Sequence, residues 1–433
     1  MYLLKLFIIV YTFIDFVRRF LDDSKVILIS LDIIITITII YYLYVNKLKV
    51  RNLTKIPISI RLSLFLLFII VFLQMYNPYY IDIKVSLVAL RSYLLPIPMI
   101  LIGYHFAKKK LFYQFNLIPF IVFLVILSVI YSIIQMMSDY TLIIGTAMEF
   151  IAPMEHSVHS YGDDSIQLAS SFFASSKRFG HFLIIMYFLY VGLSLNYKHK
   201  INKYIFILFL SGLVLSGARE SFMLFLVFNI LLYIYFNKVT KIFIIFFITF
   251  IVLFLIYLNL PDNVIEKLKF LFSNIDDYIN RVLMFFPNLF LNFDNENLLF
   301  GLGTGKYGQA SLLNENLNQI IRVMHKVFFN IPTSCQNSIT FSDAGLSKIT
   351  IELGFVGMLI YIFFLISIIR IALKNIFNKY ETDNLNLLLS LYIITWVIFF
   401  LKAHPVSSDI FMTYFLFFSI GYISYIERRI LIK

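Results

Sequence analysis

Long hydrophobic stretches separated by short polar connections repeat along almost the whole chain. Twelve of these stretches approach or reach the length of a membrane span, which takes about 20 residues of α-helix. We therefore predict an all-α polytopic membrane protein, because lipid offers backbone polar groups no partner outside a helix. The predicted spans are residues 2–17, 26–45, 57–76, 81–104, 117–136, 181–196, 203–218, 220–236, 240–260, 346–369, 384–402 and 408–426.

Lysine and arginine residues concentrate in alternate connections between these spans. The positive-inside rule assigns such connections to the cytoplasm, together with both termini. Arg18 and Arg19 are the exception to the alternation. The outside then receives two long connections, 137–180 and 261–345. The basic clusters lie within residues 47–55, 108–110, 198–203, 238–241, 370–379 and 428–433.

Composition agrees with the membrane class. The chain is 61% hydrophobic and 14% charged, whereas soluble domains have about 25% charged residues. Topology accounts for most of the net charge of +12, so no nucleic acid partner is needed. We predict one membrane domain over residues 1–433, with an outer loop at 137–180 and a large outer loop with short helices at 261–345. The resulting architecture is that of a multi-pass protein embedded in a lipid bilayer.

The stretch LLFGLGTGKYG, residues 298–308, resembles a nucleotide-binding loop at first sight, since residues 303–308 fit G-x-G-x-x-G. No strand–helix–strand pattern surrounds it, and it falls in an outer loop, away from the cytosolic nucleotide pool. Tyr307 also occupies the position where a phosphate-binding loop needs Ser or Thr. We therefore expect Gly301, Gly303 and Gly305 to form a tight turn, or to let the backbone approach a ligand closely.

Several arginines lie inside predicted spans or at their outer ends, where a buried charge is costly and usually functional. Arg91 falls in the middle of the fourth span, and Pro96 and Pro98 after it should kink that helix. A guanidinium group binds phosphate through paired hydrogen bonds, so we predict an anionic substrate. The remaining candidates at this face are Arg178, Arg219 with Glu220, Arg281, and Arg322 with His325.

Two other chemistries are weaker interpretations. His156 and His159, with Asp163 and Asp164, could imitate a metal site, but acidic loops often contain such pairs and the ligand spacing is not typical. A serine hydrolase of the nucleophile-elbow type would need G-x-S-x-G, which the chain lacks. We therefore predict neither a metal nor another cofactor.

Three short motifs, in this order, resemble the O-antigen polymerase and ligase superfamily. LVLSGARES (213–221) is similar to its Ser-Gly-x-Arg turn. Arg281 followed by LLFGLGTGKYG is similar to an arginine ahead of a glycine-rich loop. TFSDAGLSKITIELGFVGMLIYIF (340–363) resembles the closing signature, a polar residue and then a span beginning with Glu352, Gly354 and Gly357.

This resemblance implies an inverting, metal-independent glycosyltransferase of the membrane-embedded C class in the bacterial cytoplasmic membrane. Such an enzyme transfers glycan from undecaprenyl pyrophosphate to an acceptor outside the membrane, and a chain-length regulator protein is an implied partner. Arg219 and Arg281 would stabilise the departing pyrophosphate, and Asp343 or Glu220 would accept the proton of the sugar hydroxyl. The expected substrate-binding residues are Arg91, Arg178, Arg322, His325, Gly301, Gly303, Gly305 and Lys306.

Within this superfamily, the ligase branch usually has a His-Asn or His-Ser pair where this chain has Ser342-Asp343. The difference favours the polymerase branch, whose acceptor is another lipid-linked repeat unit. The alternatives are the ligase itself and, in a different class, a lipid-linked oligosaccharide flippase. A flippase should show two similar halves and short outer loops. A structural scaffold would leave the arginines at the outer face unexplained.

The predicted topology can be tested with the single cysteine, Cys335, which lies in the large outer loop. A membrane-impermeant thiol reagent should label Cys335 on intact spheroplasts. Lys108→Cys and Lys200→Cys should stay unlabelled until the membrane is opened, because both positions are predicted to be cytoplasmic. Earlier labelling at 108 and 200 than at 335 would reverse the topology.

Overall fold

The structure of the protein is a computed structural model, in which the described residues form separate stretches with gaps between them. They are 5–6, 8–13, 17, 25–48, 54–76, 86, 90, 93–114, 116–137, 158–161, 164–167, 169–173, 176–197, 202–218, 221–222, 224–229, 299–301, 303, 345–377, 384–402 and 410–432.

Most of these residues are helical. Ten helices have defined bounds, and residues 221–222 and 224–229 are also helical. The ten helices are α1 (Lys25–Val45), α2 (Ile58–Gln74), α3 (Met99–Lys109), α4 (Leu111–Gln114), α5 (Ile118–Met137), α6 (Ser176–Asn196), α7 (Lys203–Ser216), α8 (Gly345–Phe377), α9 (Asn384–Lys402) and α10 (Ile410–Ile432).

Three of the described helices are long and apolar enough to cross a membrane: α5, α6 and α8. Shorter apolar helices are α2, α7 and parts of α1 and α9. Together they confirm the helical class that the hydrophobic pattern predicts. The total of twelve spans and the glycosyltransferase architecture stay predictions, as does the span at 240–260, which lies outside the described residues.

Helix α6 forms the centre of the described part of the fold. Almost every side chain from Phe179 to Leu193 is buried. Aromatic rings fill the space around it: Tyr187 contacts Phe209 of α7 and Phe225, and Phe188 contacts Tyr392 of α9. A helix that is apolar on all sides is expected to be enclosed by others, and α6 meets this expectation.

Two local features refine the prediction. Residues 95–98 form turns rather than helix, and α3 begins at Met99, so Pro96 and Pro98 interrupt the predicted span as expected. The all-α prediction missed a two-stranded antiparallel hairpin of β1 (Val158–Tyr161) and β2 (Asp164–Gln167). A signal was present, because only Gly and Asp separate the strands and this pair favours two-residue hairpins.

Helices α3 and α10 meet at backbone distance because each contributes a glycine to their crossing. A Cβ added at Gly103 would lie 1.9 Å from the carbonyl oxygen of Phe418, and one added at Gly421 would lie 2.0 Å from that of Ile100. Small residues allow such close approach between membrane helices. The two glycines therefore set the spacing of this helix pair.

We expect Gly103→Ala to lower the free energy of unfolding by about 1–3 kcal/mol, the usual cost of overpacking a close contact. The added methyl would meet rigid backbone, so the helices must separate. Thermal unfolding of the purified protein in detergent measures the loss.

Gly212→Ala in α7 is the matched control for this substitution. Its added Cβ would meet only side-chain ends, Leu183 Cδ1 at 2.9 Å and Val129 Cγ2 at 3.0 Å, and such ends can shift. Equal losses in the two variants would contradict a backbone-limited contact between α3 and α10.

Candidate functional site

The glycine-rich segment packs directly against a break in helix α8. Gly354 has φ 70° and ψ −175° inside α8, so the helix is interrupted there. The Gly303 N–H donates to the Glu352 carbonyl at 3.0 Å. A Cβ added at Gly301 would lie 2.4 Å from the Gly354 nitrogen. Two sequence motifs that are distant along the chain thus meet through their backbones.

Glycine is required on both sides of this contact. The backbone conformation of Gly354 belongs to a region that other residues avoid, and its added Cβ would lie 2.2 Å from the Leu299 carbonyl oxygen. Gly301 and Gly303 also have positive φ, at 75° and 110°. The backbones of Gly301 and Gly303 approach α8 itself, whereas the expected tight turn and approach to a ligand stay predictions.

A buried polar cluster lies beside the break. The Tyr93 hydroxyl donates to Glu352 Oε2 at 2.7 Å, and Lys348 Nζ lies 3.8 Å from Glu352 Oε1. Tyr93, Lys348 and Glu352 are 3%, 6% and 0% exposed. Charged and polar side chains are costly to bury unless they satisfy one another, so this cluster holds the Tyr93 segment against α8.

A second group of close contacts involves Ala218 and Ser221, which stand on either side of positions 219 and 220 in the sequence. Gly180 in the first turns of α6 faces the residues on both sides of positions 219 and 220: an added Cβ would lie 2.4 Å from Ala218 Cβ and 2.8 Å from Ser221 Oγ. Helix α7 ends at Ser216, where Gly217 takes the left-handed conformation, φ 57°, that commonly ends helices. Arg178 is half-buried and two residues before Gly180. The start of α6 therefore packs on Ala218 and Ser221.

Hydrogen bonds to α5 hold Ser171, which precedes α6 in the chain. Gln135 accepts from the Ser171 N–H at 2.8 Å and donates to the Ser171 carbonyl at 3.2 Å. Ser171 Oγ also donates to the Ser128 carbonyl at 2.8 Å. These bonds support Ser171 in a left-handed conformation, φ 51°, that non-glycine residues seldom adopt. These hydrogen bonds thereby fix the position of Ser171, a few residues before α6.

The α8 break and the contacts of Gly180 lie at the same end of the helix bundle. Near the end of α6, Gly192 packs on Leu385 and Leu388 at the start of α9. Near the end of α8, Asn375 accepts from Asn386 at 3.3 Å, also at the start of α9. The final turns of α6 and α8 therefore meet at one end, so their first turns, which carry Arg178 and the α8 break, lie at the other.

Not all predicted site residues fall within the described part of the chain. Gly301, Gly303 and Arg178 do, and the glycines contact the Glu-x-Gly motif of the closing signature. Sequence reasoning missed two participants, Tyr93 and Lys348. Lys348 had a signal, because it stands four residues before Glu352 in an apolar helix and such pairs share a face; Tyr93 had none. The positions outside the described residues are Arg91, Arg219, Glu220, Arg281, Gly305, Lys306, Arg322, His325 and Asp343.

The described residues offer arginine, carboxylate, lysine and backbone groups rather than a metal-ligand set. Within them, no group of three or more His, Cys, Asp or Glu side chains could hold a metal ion. A broken helix at membrane depth is tolerated only where protein encloses it or where it lines a cavity. We take the α8 break with its docked glycine segment as the candidate site, because two of the three sequence motifs meet there.

Comparisons of the chain with protein-family models, curated proteins and solved structures found no match. Function is therefore inferred from the residues and the geometry of the chain itself.

We expect Gly354→Ala to destabilise the protein by about 1–3 kcal/mol, because alanine is strained at this backbone conformation. The added methyl also clashes with the Leu299 carbonyl, so the glycine segment should detach from α8. Limited proteolysis near residue 300 and thermal unfolding measure the two effects.

Gly192→Ala is the control, since its Cβ would come closest to the Leu385 and Leu388 side-chain ends at 2.8 and 3.0 Å, and the nearest backbone atom, Leu385 Cα, would lie at an ordinary contact distance of 3.6 Å. It should leave cleavage near residue 300 unchanged. A Gly354→Ala variant that is no more easily cleaved than Gly192→Ala would contradict the docking of the glycine segment.

Proposed function

We propose that this chain polymerises undecaprenyl-pyrophosphate-linked oligosaccharide repeat units. It transfers the growing glycan from its lipid carrier to a sugar hydroxyl of a second lipid-linked repeat. The observation that carries the proposal is the backbone contact of Gly301 and Gly303 with the Glu352–Gly354 break. These residues belong to two of the three motifs by which the chain resembles the O-antigen polymerase and ligase superfamily, and motifs that form one site should meet.

The reaction is a displacement at the anomeric carbon of the donor glycan. The acceptor hydroxyl oxygen forms the new glycosidic bond as the bond to undecaprenyl pyrophosphate breaks, with inversion. Asp343 or Glu220 takes the proton of the attacking hydroxyl. Arg219 and Arg281 stabilise the charge on the departing pyrophosphate, because preorganised donors act most strongly on charge that develops in the transition state.

Substrate binding in this proposal uses the remaining arginines and the glycine-rich loop. The contacts of Gly180 with Ala218 and Ser221 support a joint role for Arg178 and Arg219, since each arginine is within three residues of this packing in the sequence. Guanidinium groups bind phosphate oxygens in pairs, which suits a pyrophosphate. The other proposed binding residues are Arg91, Arg322, His325, Gly305 and Lys306.

The lipid pyrophosphate is already an activated leaving group, so the proposed reaction needs no nucleotide, metal or other cofactor. We assign the enzyme to the bacterial cytoplasmic membrane as a multi-pass protein with both termini in the cytoplasm. The alternation of basic connections supports this orientation, and the apolar helices α5, α6 and α8 support the membrane location. A chain-length regulator protein is the proposed partner.

The purified chain in lipid nanodiscs tests the reaction directly. Its substrate is the lipid-linked repeat extracted from a strain lacking this chain. With EDTA present and no nucleotide, we expect a ladder of longer lipid-linked products, because the pyrophosphate bond supplies the driving force. A ladder that requires a divalent metal or a nucleotide sugar would contradict the mechanism.

Matched arginine variants test the site. Arg219→Lys keeps the charge but loses the paired donors, so the ladder should fall to about 1%, on the order of a 10²-fold loss. Arg370→Lys, at an exposed position late in α8, should polymerise normally. Equal ladders from the two variants would remove Arg219 from the mechanism.

The deletion strain separates the competing functions. Loss of a polymerase should leave single repeat units at the outer face of the membrane. Loss of a ligase would leave long chains on the lipid carrier, and loss of a flippase would leave single units on the cytoplasmic face. Either of the latter two results would overturn the proposed activity.

A further inference from the structure

The buried cluster of Tyr93, Lys348 and Glu352 has no role in the reaction just described. Glu352 is fully buried, so its carboxylate cannot touch a substrate that enters from solvent or lipid. A buried ion pair is often no more stable than well-packed apolar side chains of the same volume. Stability alone is therefore a weak reason for this cluster.

Glu352 connects two parts of the chain through different atoms. Its side-chain Oε2 accepts from the Tyr93 hydroxyl at 2.7 Å, whereas its backbone carbonyl accepts from the Gly303 N–H at 3.0 Å. The break at Gly354 is two residues further along α8. A shift of the Glu352 side chain would thus be transmitted to the carbonyl that holds the glycine segment.

Backbone groups make the described contacts between the glycine segment and α8. The Gly303 N–H donates to the Glu352 carbonyl, and Gly301 lies against the backbones of Glu352 and Gly354. A change in the conformation of α8 at the break would therefore move the groups that Gly301 and Gly303 contact.

We propose that Tyr93 and Glu352 are positioning residues that hold Gly301 and Gly303 against α8 in the arrangement the reaction needs. The Tyr93 hydroxyl orients the Glu352 side chain, Glu352 sets the geometry of the α8 break, and the break contacts Gly301 and Gly303. Lys348 balances the carboxylate charge without contributing to the positioning. This inference rests on the proposed polymerase function for its kinetic consequence, but its structural consequence can be measured without any substrate.

Hydrogen exchange of the full-length protein in nanodiscs tests the structural consequence. Tyr93→Phe removes one hydroxyl and keeps the ring. Because a hydrogen bond to a charged group is lost, we expect exchange of the Gly303 amide to accelerate by about tenfold or more. Unchanged exchange at Gly303 would overturn the proposal, whatever the activity of the variant.

Tyr392→Phe is the matched control. Tyr392 is fully buried and its hydroxyl donates to the Met412 carbonyl at 2.9 Å, between α9 and α10. This variant also loses a buried tyrosine hydrogen bond, but at a place unconnected to Glu352. It should leave exchange of the Gly303 amide unchanged. If both variants accelerate this exchange, the cause is general destabilisation and the proposal is wrong.

A conservative double variant separates the hydrogen bond from the ion pair. Glu352→Gln combined with Lys348→Met removes both charges but keeps an acceptor oxygen for the Tyr93 hydroxyl. It should retain slow Gly303 exchange. Glu352→Ala with Lys348→Met removes the acceptor as well and should behave like Tyr93→Phe. If the two double variants exchange equally fast, the charge pair rather than the hydrogen bond holds the glycine segment, and the proposal fails.

Steady-state kinetics with the extracted lipid-linked repeats test the consequence for catalysis. A misplaced glycine segment should lower kcat of Tyr93→Phe by about 10- to 100-fold with KM nearly unchanged, since displacements near 1 Å at a reacting centre have effects of this size. Normal kcat together with fast exchange would overturn the positioning role. If the unsubstituted chain makes no ladder, the proposed polymerase function is wrong. The exchange experiment would still test whether the Tyr93–Glu352 hydrogen bond affects Gly303.

Discussion

A single interruption of helix α8 is the constraint on which the candidate site depends. Gly354 takes a backbone conformation that breaks the helix, and protein must enclose such a break at membrane depth because lipid cannot satisfy irregular backbone. Gly301 and Gly303 supply that enclosure, with Gly303 donating to the Glu352 carbonyl. The loop motif and the helix motif therefore form one structure. Each motif supplies backbone contacts to the other.

Close backbone contacts recur wherever the described helices must meet tightly. The chain has 49 Phe and 29 Tyr residues but 15 Gly residues, so most helix faces are bulky. Gly103 and Gly421 bring α3 against α10, and Gly180 brings α6 against the end of α7. Aromatic side chains then fill the wider spaces, as Tyr187 and Phe188 do around α6. Glycine residues thus set where two backbones come into contact. Aromatic side chains set the spacing between helices elsewhere.

Polar side chains hold α8 at both of its ends. At the candidate site, Glu352 accepts from Tyr93 and pairs with Lys348. At the other end, Lys374 donates to Glu427 of α10 at 2.9 Å. The Tyr93–Lys348–Glu352 cluster is buried, where polar groups need such partners, whereas the Lys374 side chain is 43% exposed. These contacts hold α8 on both sides of the break at Gly354, a conformation that glycine adopts readily.

The hydrophobic pattern alone determined the helical class, the approximate bounds of helices such as α2, α7 and α9, and the interruption at Pro96 and Pro98. These features are local, since apolar runs and proline act within one segment of chain. The glycine-rich motif separately led us to expect a tight turn or a close backbone approach to a ligand at Gly301 and Gly303. Only the tertiary structure decided that these glycines contact the α8 break and that Tyr93 bonds to Glu352. Such contacts join segments far apart in sequence, and no local periodicity encodes which distant backbone or hydroxyl a residue will meet.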